Sequence, residues 1–234
     1  MPARTKPGAL PAYLRIAEHL TIEIASGRLV PGQRLPPERQ MAARYGVSPM
    51  TLRKALAIVT ERGLIARRQG SGNYVARGAH RRDLGTYALF RLEAVPEGGG
   101  LPTAEVLSFE PEAGPGPEAI GPARRIRRLR RLDGIPAALE EIWLPLRHGD
   151  LTEAALSESL YRTYAQVLGL VIAHAEDRVG VGTCPDWAPA SLGTAPGATM
   201  GLVERRGFDQ DAGLAEVSRT WFDPARARYF ATVP

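Results

Sequence analysis

Between Leu35 and Val75 the chain reads LPPERQMAARYGVSPMTLRKALAIVTERGLIARRQGSGNYV, and its punctuation leaves few ways to fold. A short helix is expected from Pro37 to Tyr45, stopped by Gly46. A second is expected after Val47, running to Arg62. Ser48 is a good N-cap, and Pro49 suits the first helical position, where a missing N–H costs little. Leu52, Ala55, Leu56 and Val59 recur at helical spacing and make one buried stripe. Met50, Thr51, Arg53, Lys54 and Ala57 are left on the outer face. Two β-prone runs follow, Leu64–Arg68 and Asn73–Ala76, joined by the turn Gln69-Gly70-Ser71-Gly72.

The helices alone would suit an ordinary amphipathic hairpin with a solvated face. The basic, glycine-turned hairpin behind them shifts the balance. Two helices joined by a tight Gly turn, then a hairpin, make a winged helix-turn-helix whose second helix enters the major groove of DNA. The start of that helix is short, polar and basic, and its positive dipole end attracts phosphate. Charge is divided accordingly. Residues 1–80 hold 13 Lys/Arg against 4 Asp/Glu, and the remainder holds 17 against 21. A basic first module and a slightly acidic second one suit phosphate contact by the first.

The segment Tyr13 to Val75 resembles the DNA-binding domain of the GntR family of bacterial transcription regulators. The resemblance rests on the SG-x-L-x-PG-x-x-LP-x-ER run, the GVS turn, the T-hydrophobic-R-x-AL helix and the GLI-x-RRQG-x-G wing. It implies DNA contacts by Arg39 and Arg53, by Ser48 and Thr51 at the helix start, and by Arg68, Gln69 and Gly70 in the wing. The family often has Arg-Thr where this chain has Pro49-Met50, which removes a base-reading arginine; both positions are carried as contacts, and the family's usual operator sequence is not carried with them.

Composition changes near residues 77–84, where RGAHRRDLG reads as a linker. Beyond it, strand-length apolar runs (Ala104–Phe109, Ala137–Leu144, Gly201–Arg205, Ala215–Phe222) alternate with Gly/Pro clusters. Helices are expected at Ser159–Gly169 and Ala188–Leu192. The segment 111–123 is too rich in Pro and Gly to be an element. Strands and helices without regular βαβ alternation indicate an α+β fold with an antiparallel sheet. The expected layout is a DNA-binding module at 9–76, a linker at 77–85 and a second module at 86–234. The proline-rich start, MPARTKPGALPA, reads as a mobile arm.

This second half resembles the UTRA effector domain of the HutC subfamily of GntR regulators. IRRLRRLDGIPAALEEIWLP (126–145), SLYRTYAQVLGL (159–170), LG-x-x-PGA (192–198) and AEVSRTWF (215–222) carry the match, in the family's order. It implies a chorismate-lyase-like fold used as a ligand sensor, and a homodimer. It also implies a ligand held by an R-x-R pair, a serine opening the S-L-Y helix and a glutamate after the G-x-P turn. In this chain those are Arg128 and Arg130, Ser159, and Glu140. Tyr161 joins them. The tail FDPARARYFATVP departs from the family's spacing, and only Tyr229 is carried from it.

Strand alternation puts Arg128 and Arg130 on one face. Two guanidinium forks there favour an anion. Ser159 near a helix start would add donors. Glu140 could accept from sugar-like hydroxyls or a ligand amine. The expected effector is a small anion: a sugar phosphate, a carboxylate or a phosphonate. Against this stands the run from Arg124 to Arg131, six arginines, since charge runs usually form a solvated face. With 124, 126, 128 and 130 on one side and 125, 127, 129 and 131 on the other, neither side is wholly apolar, so the register stays open. Trp143 and Trp221 are read as core.

His19, His80, His148 and His174 have no ligand-like spacing, and no HExxH, paired Cys, G-x-S-x-G or GxxxxGK[ST] occurs. No metal, no cofactor and no catalytic residue is expected. Cys184 is alone, which excludes an internal disulfide. No apolar run spans a membrane and no signal peptide is visible, so a cytoplasmic location is expected. The expected function is a ligand-responsive regulator that binds an inverted-repeat duplex as a homodimer. The alternatives are an enzyme built on the lyase-like fold and an architectural DNA binder without a ligand.

Overall fold

The computed structural model describes residues 10–77, 92–96, 100–112 and 120–231. Those residues divide into two compact units, one up to residue 77 and one from Leu92 onward. The stretch 1–9, most of the linker reading (78–85), His80 and the centre of the Pro/Gly segment (113–119) lie outside the described residues.

The first unit has three helices and a hairpin: α1 (Ala12–Ala25), α2 (Glu38–Arg44), α3 (Pro49–Glu61), β1 (Ile65–Arg68) and β2 (Gly72–Val75). α1 begins at Ala12, inside the stretch read as an arm. It forms because Ile16, Ala17, Leu20 and Ile24 fall on one face. That stripe packs with Met41 of α2, with Leu52, Leu56 and Val59 of α3, and with Ile65 and Val75 of the hairpin. α2 ends where Gly46 adopts φ +62°, a left-handed turn that a glycine enters without steric cost. α3 starts as its sequence dictates: Ser48 accepts the Thr51 N–H at the cap, and Pro49 occupies the first turn. β1 and β2 pair antiparallel with Ile65 opposite Val75.

The second unit is built on a six-stranded antiparallel sheet of order β4-β5-β6-β9-β8-β7. Its strands are β4 (Pro102–Glu112), β5 (Ala123–Leu132), β6 (Ile135–Pro145), β7 (Ile172–Thr183), β8 (Thr199–Asp209) and β9 (Leu214–Phe222). β3 (Leu92–Ala94) and β10 (Ala227–Tyr229) form a separate two-stranded ribbon. The α+β reading with an antiparallel sheet therefore holds. The segment 111–123 is corrected at both ends, since Pro111 and Glu112 finish β4 and Ala123 opens β5.

The helix expected over 159–169 is one α-helical turn, α4 (Leu160–Thr163), that widens into a π-turn (Tyr164–Leu168). The one expected at 188–192 is a 3₁₀ turn, Ala190–Leu192. β7 had no counterpart in the sequence reading. No helix among the described residues is long and apolar enough to cross a membrane.

The sheet is covered on both faces. On one, Leu129, Leu139, Met200 and Trp221 pack with Cys184, Leu192 and Trp187. Trp143 and Val217 continue that side with Ile120. The two tryptophans read as core are therefore core. The other face carries the charged cluster described below.

Candidate functional site

The open register of the arginine run is settled by cross-strand pairing. Arg128 lies opposite Glu140, which lies opposite Thr220 and then Val203. The next row runs Ile126, Ile142, Ser218, Arg205, Asp177. Residues opposed in register share a face, so Arg128, Glu140, Arg205 and Asp177 stand on one side of the sheet. Arg127 goes to the other, where it stacks over Trp187 at 4.8 Å and pairs with Glu141 at 2.8 Å. The run is not a solvated face: Arg128 and Arg130 are 3% and 8% exposed.

Glu140 joins the two arginines. Arg128 Nη2 donates to Oε2 at 2.5 Å, and Arg130 Nη1 donates to Oε1 at 2.8 Å. Burial works against ionisation of Glu140, but the two guanidinium charges outweigh it and hold the carboxyl below its usual range. Both oxygens thus face arginine, which takes part of the accepting capacity reserved for ligand hydroxyls. Arg128 also reaches the Glu158 carbonyl at 3.4 Å, while its buried Nε has no hydrogen-bond partner among the described residues. Two guanidinium groups on one carboxylate leave a net positive charge in a region poor in water.

Beside it lies a second cluster absent from the sequence reading. Arg205 makes a two-point pair with Asp177, Nε–Oδ1 2.6 Å and Nη2–Oδ2 2.7 Å. Tyr229 donates its hydroxyl to Asp177 Oδ2 at 2.7 Å. Tyr161 donates to Glu216 Oε1 at 2.6 Å and accepts from Arg205 Nη1 at 3.5 Å. Burial opposes the charge of Arg205, yet Tyr161 and Asp177 keep its pKa above the ordinary arginine value. Glu216 is 2% exposed, and burial raises its pKa in spite of the Tyr161 hydrogen bond. Burial also raises the Tyr161 pKa, with Glu216 adding to it.

Of the residues expected around an effector, Arg128, Arg130 and Glu140 are in direct contact. Tyr161 and Tyr229 meet through Arg205 and Asp177. Ser159 lies next to Glu158, whose carbonyl touches Arg128, but its side chain makes no cap bond, and the helix it opens is too short to act as a strong dipole. Arg205, Asp177 and Glu216 were missed. A signal existed for Glu216 alone, an acid inside the apolar run AEVSRTWF.

In the first unit, α3 presents Pro49, Met50, Arg53, Lys54 and Ala57 outward. Arg53 Nε donates to Glu38 Oε2 at 3.0 Å. That hydrogen bond lowers the Glu38 pKa despite the small cost of burial. Glu38 thereby ties α2 to α3, a role its position in the ER pair did not announce. Arg39 is exposed beside it. In the wing, the Arg68 guanidinium stacks on Tyr74 at 4.5 Å, and Tyr74 meets Ser71 at 2.6 Å. Gln69 and Gly70 are exposed at the tip, with Gly70 at φ +71°. The expected DNA contacts therefore lie on two neighbouring elements of one unit, α3 and the wing, with Arg39 on α2.

Comparison with known proteins gives a match for each unit. Residues 12–75 match the model "Bacterial regulatory proteins, gntR family", and residues 99–228 match "UTRA domain". The chain is 49% identical over 231 residues to the HTH-type transcriptional regulator SmoD of Agrobacterium fabrum, covering 97% of each protein. It is 33% identical over 186 residues to the mannosyl-D-glycerate transport/metabolism system repressor MngR of Escherichia coli, covering 74% of this chain and 75% of that one. A crystal structure of the possible transcriptional regulator YydK of Bacillus subtilis superposes with a TM-score of 0.53 at 19% identity, over 96% of this chain and 100% of that one. That likeness speaks to the fold.

Proposed function

Because the chain belongs to the GntR family of bacterial regulatory proteins and carries a UTRA domain, we propose that it is a repressor whose hold on DNA is released by a small anionic effector bound at Arg128 and Arg130. That it is a ligand-responsive, DNA-binding transcriptional regulator follows from the family. The observation that carries the effector chemistry is the Arg128–Glu140–Arg130 group, with a buried Arg128 Nε that has no partner among the described residues. A buried donor without an acceptor is costly, and an anionic ligand would satisfy it.

The effector module is assigned to 86–234 and the DNA-binding module to 9–76, joined by 77–85. Arg39, Arg53, Ser48, Thr51 and the wing residues Arg68, Gln69 and Gly70 are assigned to DNA. Arg128, Arg130, Glu140, Ser159, Tyr161 and Tyr229 are assigned to the effector, with Arg205, Asp177 and Glu216 behind them. MngR is named for a system handling mannosyl-D-glycerate, a glycoside with a carboxylate. A sugar that carries an anionic group fits this cluster in the same way: guanidinium forks for the anion, Tyr161 and Glu216 for hydroxyls.

The test is a binding screen of sugar phosphates, sugar carboxylates and phosphonates on the wild-type chain and on Arg128→Ala/Arg130→Ala. An anion that binds the wild type and loses at least tenfold in the variant supports the assignment. Equal affinity for both proteins removes these arginines from the site.

A further inference from the structure

The order of side chains on the outer line of α3 indicates which base edge it reads. An α-helix turns by about 100° per residue. Met50, Lys54 and Ala57 therefore stand on one line, opposite the buried stripe of Leu52, Ala55, Leu56 and Val59. Arg53 lies to the side of that line, where Glu38 holds its Nε at 3.0 Å. Ser48 and Thr51 are engaged with each other: their hydroxyls are 2.9 Å apart, and Ser48 also caps the Thr51 N–H. Pro49 has no N–H to offer. What remains at the leading end of the line is Met50, 62% exposed.

We propose that Met50 is a specificity-determining residue that packs on the C5-methyl group of a thymine in each operator half-site. This rests on α3 being the helix in the major groove. In that groove the thymine methyl is the apolar feature of a base pair's edge. Methionine is unbranched and polarisable and adapts its shape to such a target. Pro49 beside it adds apolar surface and no donor that would favour guanine at the same step. Ala57, small and further along the line, lets the helix lie close to the base edges. Lys54 between them supplies a cation for guanine acceptors or phosphate. The half-site is therefore expected to carry thymine at the step facing the first turn of α3.

The experiment selects a duplex from a random-sequence library with the full chain, then remakes it with deoxyuridine in place of each thymine in turn. That exchange removes the methyl group and leaves every hydrogen-bonding edge unchanged. At fixed salt, a single such exchange, at one thymine position in either half-site, is expected to weaken wild-type binding about fourfold, the worth of one buried methyl group. Met50→Ala is expected to bind the thymine and uracil duplexes equally, and Met50→Leu to keep the preference.

Wild-type indifference to uracil at every position overturns the proposal. So does a Met50→Ala chain that keeps the wild-type ratio. Arg53→Ala separates this inference from the wider reading: it is expected to weaken both duplexes alike and to keep their ratio. If neither Arg53→Ala nor Met50→Ala changes affinity for any selected duplex, α3 is not the reading helix and both assignments fall.

Discussion

His19 is a titratable side chain held away from water, 3% exposed and edge-on to Tyr45 at 5.8 Å between ring centres. Burial, with the nearby Arg44 and Arg28 charges, lowers its pKa from 6.5 to about 3. The unfolded chain takes up a proton as pH falls below 6.5, while the folded chain resists until about 3. The stability linked to His19 is thus complete above 6.5 and is lost as pH falls through that window, by at most about 1.4 kcal/mol per pH unit. Melting of the first unit between pH 7 and pH 4.5 is expected to drop less steeply in His19→Leu than in the wild type. Equal slopes would contradict it.

At this scale the legible residues were those whose partners lie close in sequence. Ser48 caps Thr51, three positions away. Arg128 meets Glu140 across a single β-turn. Asp177, by contrast, serves Arg205 and Tyr229 from distances of 28 and 52 positions, which no local pattern records.

Among the elements, α3 could be read to within a residue or two, because its cap, its first-turn proline and its buried stripe all agree. β7 could not be read. It is an edge strand whose residues are mostly exposed, so IAHAEDRVGVGT shows neither alternation nor an apolar run. It is nevertheless fixed to β8 and β10 through Asp177, which is largely shielded from solvent together with Arg205. Asp177→Ala removes the acid that the largely shielded Arg205 charge and the Tyr229 hydroxyl both face. Breaking such a pair costs roughly 3–5 kcal/mol. Denaturant unfolding of the second unit is the measurement, and a loss below about 1 kcal/mol would show the pair to be energetically idle. Replacing both Asp177 and Arg205 with apolar residues of similar volume is expected to recover most of the loss. The short α4 was over-read as a longer helix because SLYRTYAQVLG keeps helical composition up to Gly169, while the π-turn interrupts the α-helical spacing.

For the molecule as a whole, the division of charge foretold the division of labour, since the basic excess falls in the unit with the winged helix. Assembly was not legible from any single element. One winged helix covers a half-site, so a C2 homodimer reading an inverted repeat is expected. Light scattering should give twice the chain mass of 25.3 kDa. A monomer mass with and without operator DNA would contradict that.

To release DNA, the effector must prefer the form that has let go of it, because a ligand with equal affinity for both forms shifts nothing. The most direct test is operator affinity, at fixed salt, with and without an anionic sugar that binds the wild-type chain. The wild type is expected to lose about 5- to 150-fold in operator affinity when that ligand saturates it, corresponding to roughly 1–3 kcal/mol of coupling. Arg128→Ala/Arg130→Ala is expected to hold its operator unchanged at the same ligand concentration. Release of DNA by the double variant at that same concentration would contradict the account.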